Sequence, residues 1–561
     1  MKQFKAGLFE TGLMISILII IVLRVLLLKH HELWYDEALS ILLSSGQKLA
    51  YSGPKTDPIA LKGYSSLLTI PMESGLGDTV ESIKNLIKGT LGDVHPPLFY
   101  LSQHGWMRLF GPGEFAQRSL VALTGLGSIA AAYGLGRTVI DRRGGLILAA
   151  MVGFNPFLLA HALNLRMYTL LLLWTVLSQW GLLALIQADQ KSPGKNRRRR
   201  LLLMAGVALS VAGGLLTQYL FVYCLFSLGA LVLAIGRRRW RQYSLTLATG
   251  VLLALPWFVW GLRQQVRNRG EALNQVSATG NAALRHMQDI LQTLANHLLL
   301  GHWTTGFDPI GEPIKPAAVS VGLLVALFLL VCIVGLYRQR RYHLLATGVF
   351  LGLGPLLTAL ALDILSNKFT VGFGWGRSTI VAVPGCLLLI TSWVMQLSRR
   401  WQAPVVSGLL ALYCVVGAGD QILRERNTFR TVNHWVNQSP SQSTLIAMNS
   451  RAWGNVSRLG YYVDTTLPVD MLATNPADLA AALDGTLKRE SYDRILWLNT
   501  PFPVWSRPKT TAEAEANQQA TEDVLGESYK LAQTETVRGT MNLDWFDLSL
   551  YQLSSGKSGV K

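Results

Sequence analysis

Apolar runs long enough to cross a bilayer recur along this chain, separated by short polar breaks, and every second break is basic. Little besides a polytopic α-helical membrane protein can be built from that pattern. Inside lipid each backbone N–H and C=O needs a partner within its own segment, and a helix supplies one. The runs fall at about 12–28, 117–136, 144–161, 167–187, 201–217, 219–236, 243–261, 317–337, 343–362, 377–396 and 403–419, eleven in all. Half of the 561 residues are apolar and only 15% are charged, too few charges for a soluble domain of this length.

The net charge of +18 would suit a nucleic-acid partner if it were spread over a folded surface. It is confined instead to one set of breaks. Lys2 and Lys5, the Arg137–Arg143 break, Lys191–Arg200, Arg237–Arg241, Arg338–Arg341 and Arg399–Arg400 hold 20 of the 51 Lys and Arg residues, and in or beside them lie three of the 33 acids, Glu10, Asp141 and Asp189. The rest of the chain is nearly neutral. This is the positive-inside pattern. It predicts a multi-pass protein of the plasma (inner) membrane with a cytoplasmic N-terminus, an uncleaved first helix and an extracytoplasmic C-terminus. The basic runs then act as topology determinants against anionic lipid, with no nucleic-acid role.

The expected domains are a membrane domain, 1–420, and a soluble extracytoplasmic α/β domain, 421–561. Outer loops 29–116 and 262–316 belong to the first. Amphipathic patterns (Val80, Ile83, Leu86, Ile87; Leu98 to Phe110; Leu284 to Leu298) predict interfacial helices in those loops, the last leading to His297, His302 and Trp303. After Asp420, short apolar runs at 445–448 and 495–498 alternate with helical patterns near 476–484 and 511–526, so a partly parallel sheet is expected, with a disordered tail from Ser554. Cys224, Cys332, Cys386 and Cys414 all lie in apolar runs and read as buried hydrophobes. No P-loop is present, so ATP-driven transport has no support.

Polar residues within or beside the spans gather at the outer ends: Arg24, His161, Asn164, Arg166, Gln218, Asp363 and Arg377, with Gln179 as the main exception. A transporter would place coupling residues near the midplane. An outer rim suits chemistry on a lipid head group. Just past the first span lies Leu33-Trp34-Tyr35-Asp36-Glu37, two acids beside two interfacial aromatics. Asp36 reads either as a helix cap or solvated acid, or as a general base for an acceptor hydroxyl. Glu37 reads as structural or as an aid to Asp36. Arg166 and Arg377 either snorkel or bind phosphate, and His95, before Pro96-Pro97, is a helix-start residue or a ligand.

In order and spacing these stretches resemble the GT-C type membrane glycosyltransferases, in particular the dolichyl-phosphate-mannose-protein mannosyltransferase and aminoarabinose transferase group. The resemblance rests on Trp34-Tyr35-Asp36-Glu37, Asp93-Val94-His95-Pro96-Pro97-Leu98-Phe99-Tyr100, Glu114-Phe115-Ala116-Gln117-Arg118-Ser119, Asn164-Leu165-Arg166-Met167-Tyr168, and Arg377 with Pro384. It implies a monosaccharide moved with inversion from a polyprenyl-phosphate donor to a lipid, glycan or protein acceptor outside the membrane. Asp36 and Glu37 would be catalytic, and His95, Arg166, Tyr168 and Arg377 would bind donor phosphate or substrate. No cofactor is specified, and a divalent metal ion is left open. Here His95 stands where some relatives carry an acid. The alternative is a transporter or flippase of lipid-linked saccharides.

Overall fold

The computed structural model describes residues 7–191, 196–269, 281–302, 315–423, 426–504, 506–539 and 542–554. Trp303, and the predicted tail beyond residue 554, lie outside these. Among the described residues nine helices are long and apolar enough to cross a membrane, and they coincide with nine of the eleven predicted runs.

The other two runs differ for identifiable reasons. Run 144–161 is a bent pair, Arg142–Phe154 and Pro156–Ala162, meeting at 63°. Pro156 has no N–H for the Val152 carbonyl, so the first helix cannot continue. Asn155 starts the second by accepting from Leu158 N at 2.9 Å. Arg24 of the first span, buried, donates to the freed carbonyls of Val152 and Gly153. Run 219–236 is a shorter apolar helix, Tyr219–Ile235, that opens at Gln218, whose side chain accepts from Tyr219 N.

The helices expected at the interface are present at Leu76–Thr90, Leu98–Phe110 and Ala282–Ala295. Pro97 is the N-cap of the second, where a missing N–H does no harm.

After residue 437 the chain builds the sheet predicted for the tail. Its strands are β1 (Ile59–Ala60), β2 (Thr444–Met448), β3 (Val469–Ala473), β4 (Arg494–Asn499), β5 (Tyr529–Val537) and β6 (Phe546–Leu553), in the order β1-β3-β2-β4-β6-β5. The three central strands are parallel, with Ile446 opposite Met471 and Leu496. The period-2 alternation of strand side chains splits the apolar residues between two faces. Leu445, Ala447, Ile495 and Trp497 pack with Leu479 and Leu483 of helix Pro476–Leu487. Ile446, Met448 and Leu496 join the other core with Val456 and Leu459 of helix Trp453–Tyr462. Strand β1 comes from the first outer loop and pairs antiparallel with β3, Ile59 against Met471. The sheet therefore draws on both sides of the expected boundary at 420, and it pins that loop beside Asp36.

Candidate functional site

The loop after the first span turns into helix Tyr35–Ser44 with Trp34 as N-cap. Glu37, the third helical residue, reaches back to accept from Trp34 N at 2.9 Å, which satisfies one of the orphan first-turn donors. The same carboxylate accepts from Leu165 N at 2.6 Å and takes a two-pronged bond from Arg118, Nε to Oε1 at 2.8 Å and Nη2 to Oε2 at 2.6 Å. Arg118 also donates to the carbonyls of Leu28, His31 and Glu32. Glu37 is fully buried, with both oxygens engaged. Glu37, expected as an aid to catalysis, thus ties the exit of the first span to helix Glu114–Val139 and to the Arg166 turn.

Asp36 faces the other way. Its Oδ2 accepts from Arg377 Nη1 at 2.9 Å, and Arg166 Nε lies 3.8 Å from it. Oδ1 has no hydrogen-bond partner among the described residues, and the side chain keeps 14% of its surface exposed. Arg166 is fixed by bonds from Nη1 to Ser40 Oγ at 3.0 Å and to the Asp36 carbonyl at 3.2 Å. Its Nε is buried without a hydrogen-bond acceptor. Burial pushes the Asp36 pKa up, but the charges of Arg166 and Arg377 outweigh it and hold the carboxyl below its ordinary value.

Arg377 is delivered by an unusual backbone. Residues Phe373–Ala382 form a 3₁₀ run in which Gly374 and Gly376 have φ of +57° and +85°. A Cβ on Gly374 would strike the Arg377 side chain, which lies back over it, and a Cβ on Gly376 would fall 2.8 Å from His297 Nε2. Glycine is required at both positions. Asp363 steadies the approach by accepting from the N–H groups of Thr370 and Val371, at 2.7 and 2.9 Å, and from the Thr370 hydroxyl.

A second carboxylate stands behind the first. Asp93 Oδ2 meets His95 Nδ1 at 2.9 Å and accepts from Tyr100 OH at 2.7 Å. Burial opposes its ionised form, yet the His95 and Arg166 charges and these hydrogen bonds hold its pKa low. The charge of His95 also acts on Asp36, and that of Arg166 on both acids. Asp93 was missed as a site residue although its motif stood in view. An acid two positions before His-Pro-Pro can fold back onto the histidine, and that was the available signal.

Of the predicted residues, Asp36, Arg166 and Arg377 are in contact, and His95 joins them through Asp93. Tyr168 sits one layer deeper, its ring 4.5 Å from that of His161. His161 in turn meets His302, Nε2 to Nε2 at 3.2 Å, and His297 Nε2 meets the Gly376 carbonyl at 2.8 Å. Among the described residues no group of three or more His, Cys, Asp or Glu could hold a metal ion. The two acids are met by arginine and histidine instead.

The sheet region closes the site from the other side. The Tyr35 ring lies against Gly454, and Trp34, Tyr35, Ala452 and Leu543 form one apolar cluster. Arg458, fully buried with Asp544, donates to the Leu33 carbonyl at 3.2 Å. Tyr462 OH accepts from Leu33 N at 2.7 Å and bonds Glu114.

The family model described as dolichyl-phosphate-mannose-protein mannosyltransferase matches residues 94–260. A search of curated protein sequences gives no match. Solved structures similar to the chain include ArnT from Cupriavidus metallidurans bound to undecaprenyl phosphate, at 13% identity and TM-score 0.47, covering 98% of this chain and 99% of that one. The apo form of the same protein gives 14% identity and a TM-score of 0.41 over 83% and 89%. The oligosaccharyltransferase AglB from Archaeoglobus fulgidus, in complex with an inhibitory peptide and a dolichol-phosphate, gives 11% and 0.47 over 99% and 76%. Over residues 94–260 the chain is similar to the dolichyl-phosphate-mannose-protein mannosyltransferase family.

Proposed function

We propose that this protein is an integral-membrane glycosyltransferase that moves a monosaccharide from a polyprenyl-phosphate donor to an acceptor hydroxyl, on the extracytoplasmic face and with inversion. The observation that carries the reading is one carboxylate held between two arginines at a membrane edge, with one oxygen of the acid free to accept a hydrogen bond and an orphaned N–H on Arg166. Phosphate oxygens would satisfy that N–H and compete with Asp36 for Arg377 and Arg166. As the arginines turn to the phosphate, Asp36 loses the charges that keep its pKa low and becomes a stronger base. It then takes the acceptor proton while the acceptor oxygen attacks the anomeric carbon. The bond from that carbon to the phosphate oxygen breaks, and the two arginines hold the polyprenyl phosphate that leaves.

Asp93, bonded to His95 and Tyr100, adds a second negative charge that acts on Arg166. The ionisable groups of the site collect at one end of the spans and not at their middle, which favours transfer over the transporter reading. The division into a membrane domain to residue 420 and an outer domain after it follows from the same topology, with the outer domain shaping the acceptor's approach.

The test uses purified protein with a polyprenyl-phosphate sugar and mass spectrometry for the glycosidic product. Asp36→Asn should insert and fold yet lose transfer by about 10² to 10⁴, the usual contribution of a general base. Full turnover by that variant would remove Asp36 from the role. Translocation of an unaltered donor in vesicles, with no product, would replace the transferase by the flippase.

A further inference from the structure

A groove of about 1550 Å³ runs between helices Glu114–Val139, Tyr168–Lys191 and Arg197–Thr217. Leu98 lies on its lining, while its basic end is lined by Arg137, Lys191, Arg197, Arg199, Arg200 and Arg239. Those residues come from three separate breaks in the sequence, and folding gathers them at one mouth. The acid among them, Asp189, is already held by Arg200 at 3.1 Å and Arg239 at 2.5 Å. Arg137, Arg197 and Arg199 are exposed and make no ion pair among the described residues. Three such cations lining one groove favour an anion among them.

Away from the mouth the lining is apolar, with Trp174, Leu177, Trp180, Leu203 and Leu216. The two indoles lie flat on neighbouring helices because Gly213 and Gly134 face them. A Cβ there would come within 2.6 and 2.5 Å of the rings. From Trp174 to Lys191 the helix rises about 25 Å, at about 1.5 Å per residue, most of the roughly 30 Å hydrocarbon core. An apolar slot of this depth that ends in unpaired arginines matches an amphiphile with a negative head. Basic pockets between spans on the positive side of a membrane protein are the places where acidic lipid head groups bind.

We propose that this groove binds one anionic phospholipid, with its phosphate at Arg137, Arg197 and Arg199 and its acyl chains along Trp174 and Trp180. The lipid would seal three helices whose basic ends otherwise repel. It does not depend on the chemistry assigned to Asp36.

The experiment takes the full-length protein, delipidated in detergent, and titrates it with phosphatidylglycerol, phosphatidylcholine or undecaprenyl phosphate, read by native mass spectrometry. Wild type should retain one phosphatidylglycerol, with phosphatidylcholine at least about tenfold weaker. R137Q and R199Q should each weaken it about fivefold, and the double variant about 25-fold, at the usual contribution of one basic residue near an acidic lipid surface. R338Q, in a different basic break, should leave it unchanged. Gly206 lies on the lining, and a Cβ added there meets no protein atom within 4 Å. Gly206→Phe should therefore block the slot with every charge intact, whatever the arginine variants do to folding. Equal retention of phosphatidylcholine, unchanged retention by both R137Q/R199Q and Gly206→Phe, or preferential retention of undecaprenyl phosphate would each overturn the proposal.

Discussion

Asp36 and Glu37 are adjacent in sequence, and the structure requires them to fail in opposite ways. Glu37 is fully buried and its partner Arg118 keeps 3% side-chain exposure. Glu37→Gln preserves shape but removes the charge. Arg118 is then left buried against three carbonyls and an amide, with no carboxylate, and in either orientation the amide nitrogen confronts Arg118 together with the Leu165 or the Trp34 N–H. Breaking a buried pair by removing one partner costs about 3–5 kcal/mol. The Leu165 N–H, if orphaned, adds about 1–3 kcal/mol. A loss of at least about 3 kcal/mol is expected, a large share of the margin by which proteins are stable. Asp36→Asn removes a partly exposed carboxylate from two arginines, one of which keeps its bonds to Ser40 and the Asp36 carbonyl. Its penalty should be about 1 kcal/mol. The assay is denaturant or thermal unfolding in detergent for both variants, beside turnover normalised to folded protein. Glu37→Gln should be unstable but active per folded molecule, and Asp36→Asn stable but inactive. A Glu37→Gln protein as stable as wild type, or one stable yet inactive, would refute the division of roles.

Two further predictions concern the backbone under Arg377 and the seam between loop and sheet. Gly374→Ala places a Cβ at φ +57° and against the Arg377 side chain. It should lower stability by only about 1–2 kcal/mol while lowering turnover by more than tenfold, and turnover equal to wild type would show that the posture of Arg377 is not needed. Glu32 is buried and accepts from the backbone amides of Phe429 and Arg430, at 2.8 and 3.3 Å. Burial raises its pKa from 4.5 to about 7. Between those values the folded protein holds a proton that the unfolded chain has released. Stability should therefore fall as pH rises from about 4.5 to 7 and level off above, by at most about 3 kcal/mol. Glu32→Gln should remove that slope in unfolding midpoints measured across the range, and an unchanged slope would assign it to another group.

The spans were legible because lipid allows so few solutions. A run of about 20 apolar residues has to be a helix, and arginines mark its ends. Arg166 and Arg377 stood out for a related reason, since charge at a membrane edge is costly, and the structure brings both to Asp36. The strands at 444–448 and 494–499, and the helices between and after them, followed from periodicity. What the residue pattern left open was pairing. From Trp34-Tyr35-Asp36-Glu37 alone, two neighbouring acids look interchangeable. Only the packing of Arg118, 81 positions away, and of the Leu165 amide consumes one and spares the other. The break at Asn155-Pro156 carried a local signal, but Arg24 satisfying its carbonyls did not. Asp93 was visible as an acid, but it was not visible that Tyr100 and His95 would both bond its carboxylate.

Strand β1 is the extreme case: two residues of an outer loop whose strand character exists only because β3 offers an edge. The amino-acid sequence by itself determined that this chain is a helical membrane protein, which of its ends are basic, and that its polar residues crowd one rim. Those are one-dimensional properties, read from length, hydropathy and charge. The tertiary structure decided which acid is free, which arginines face it, and that the outer sheet buttresses the loop carrying both. Such facts depend on contacts between residues tens to hundreds of positions apart, and no local pattern encodes them.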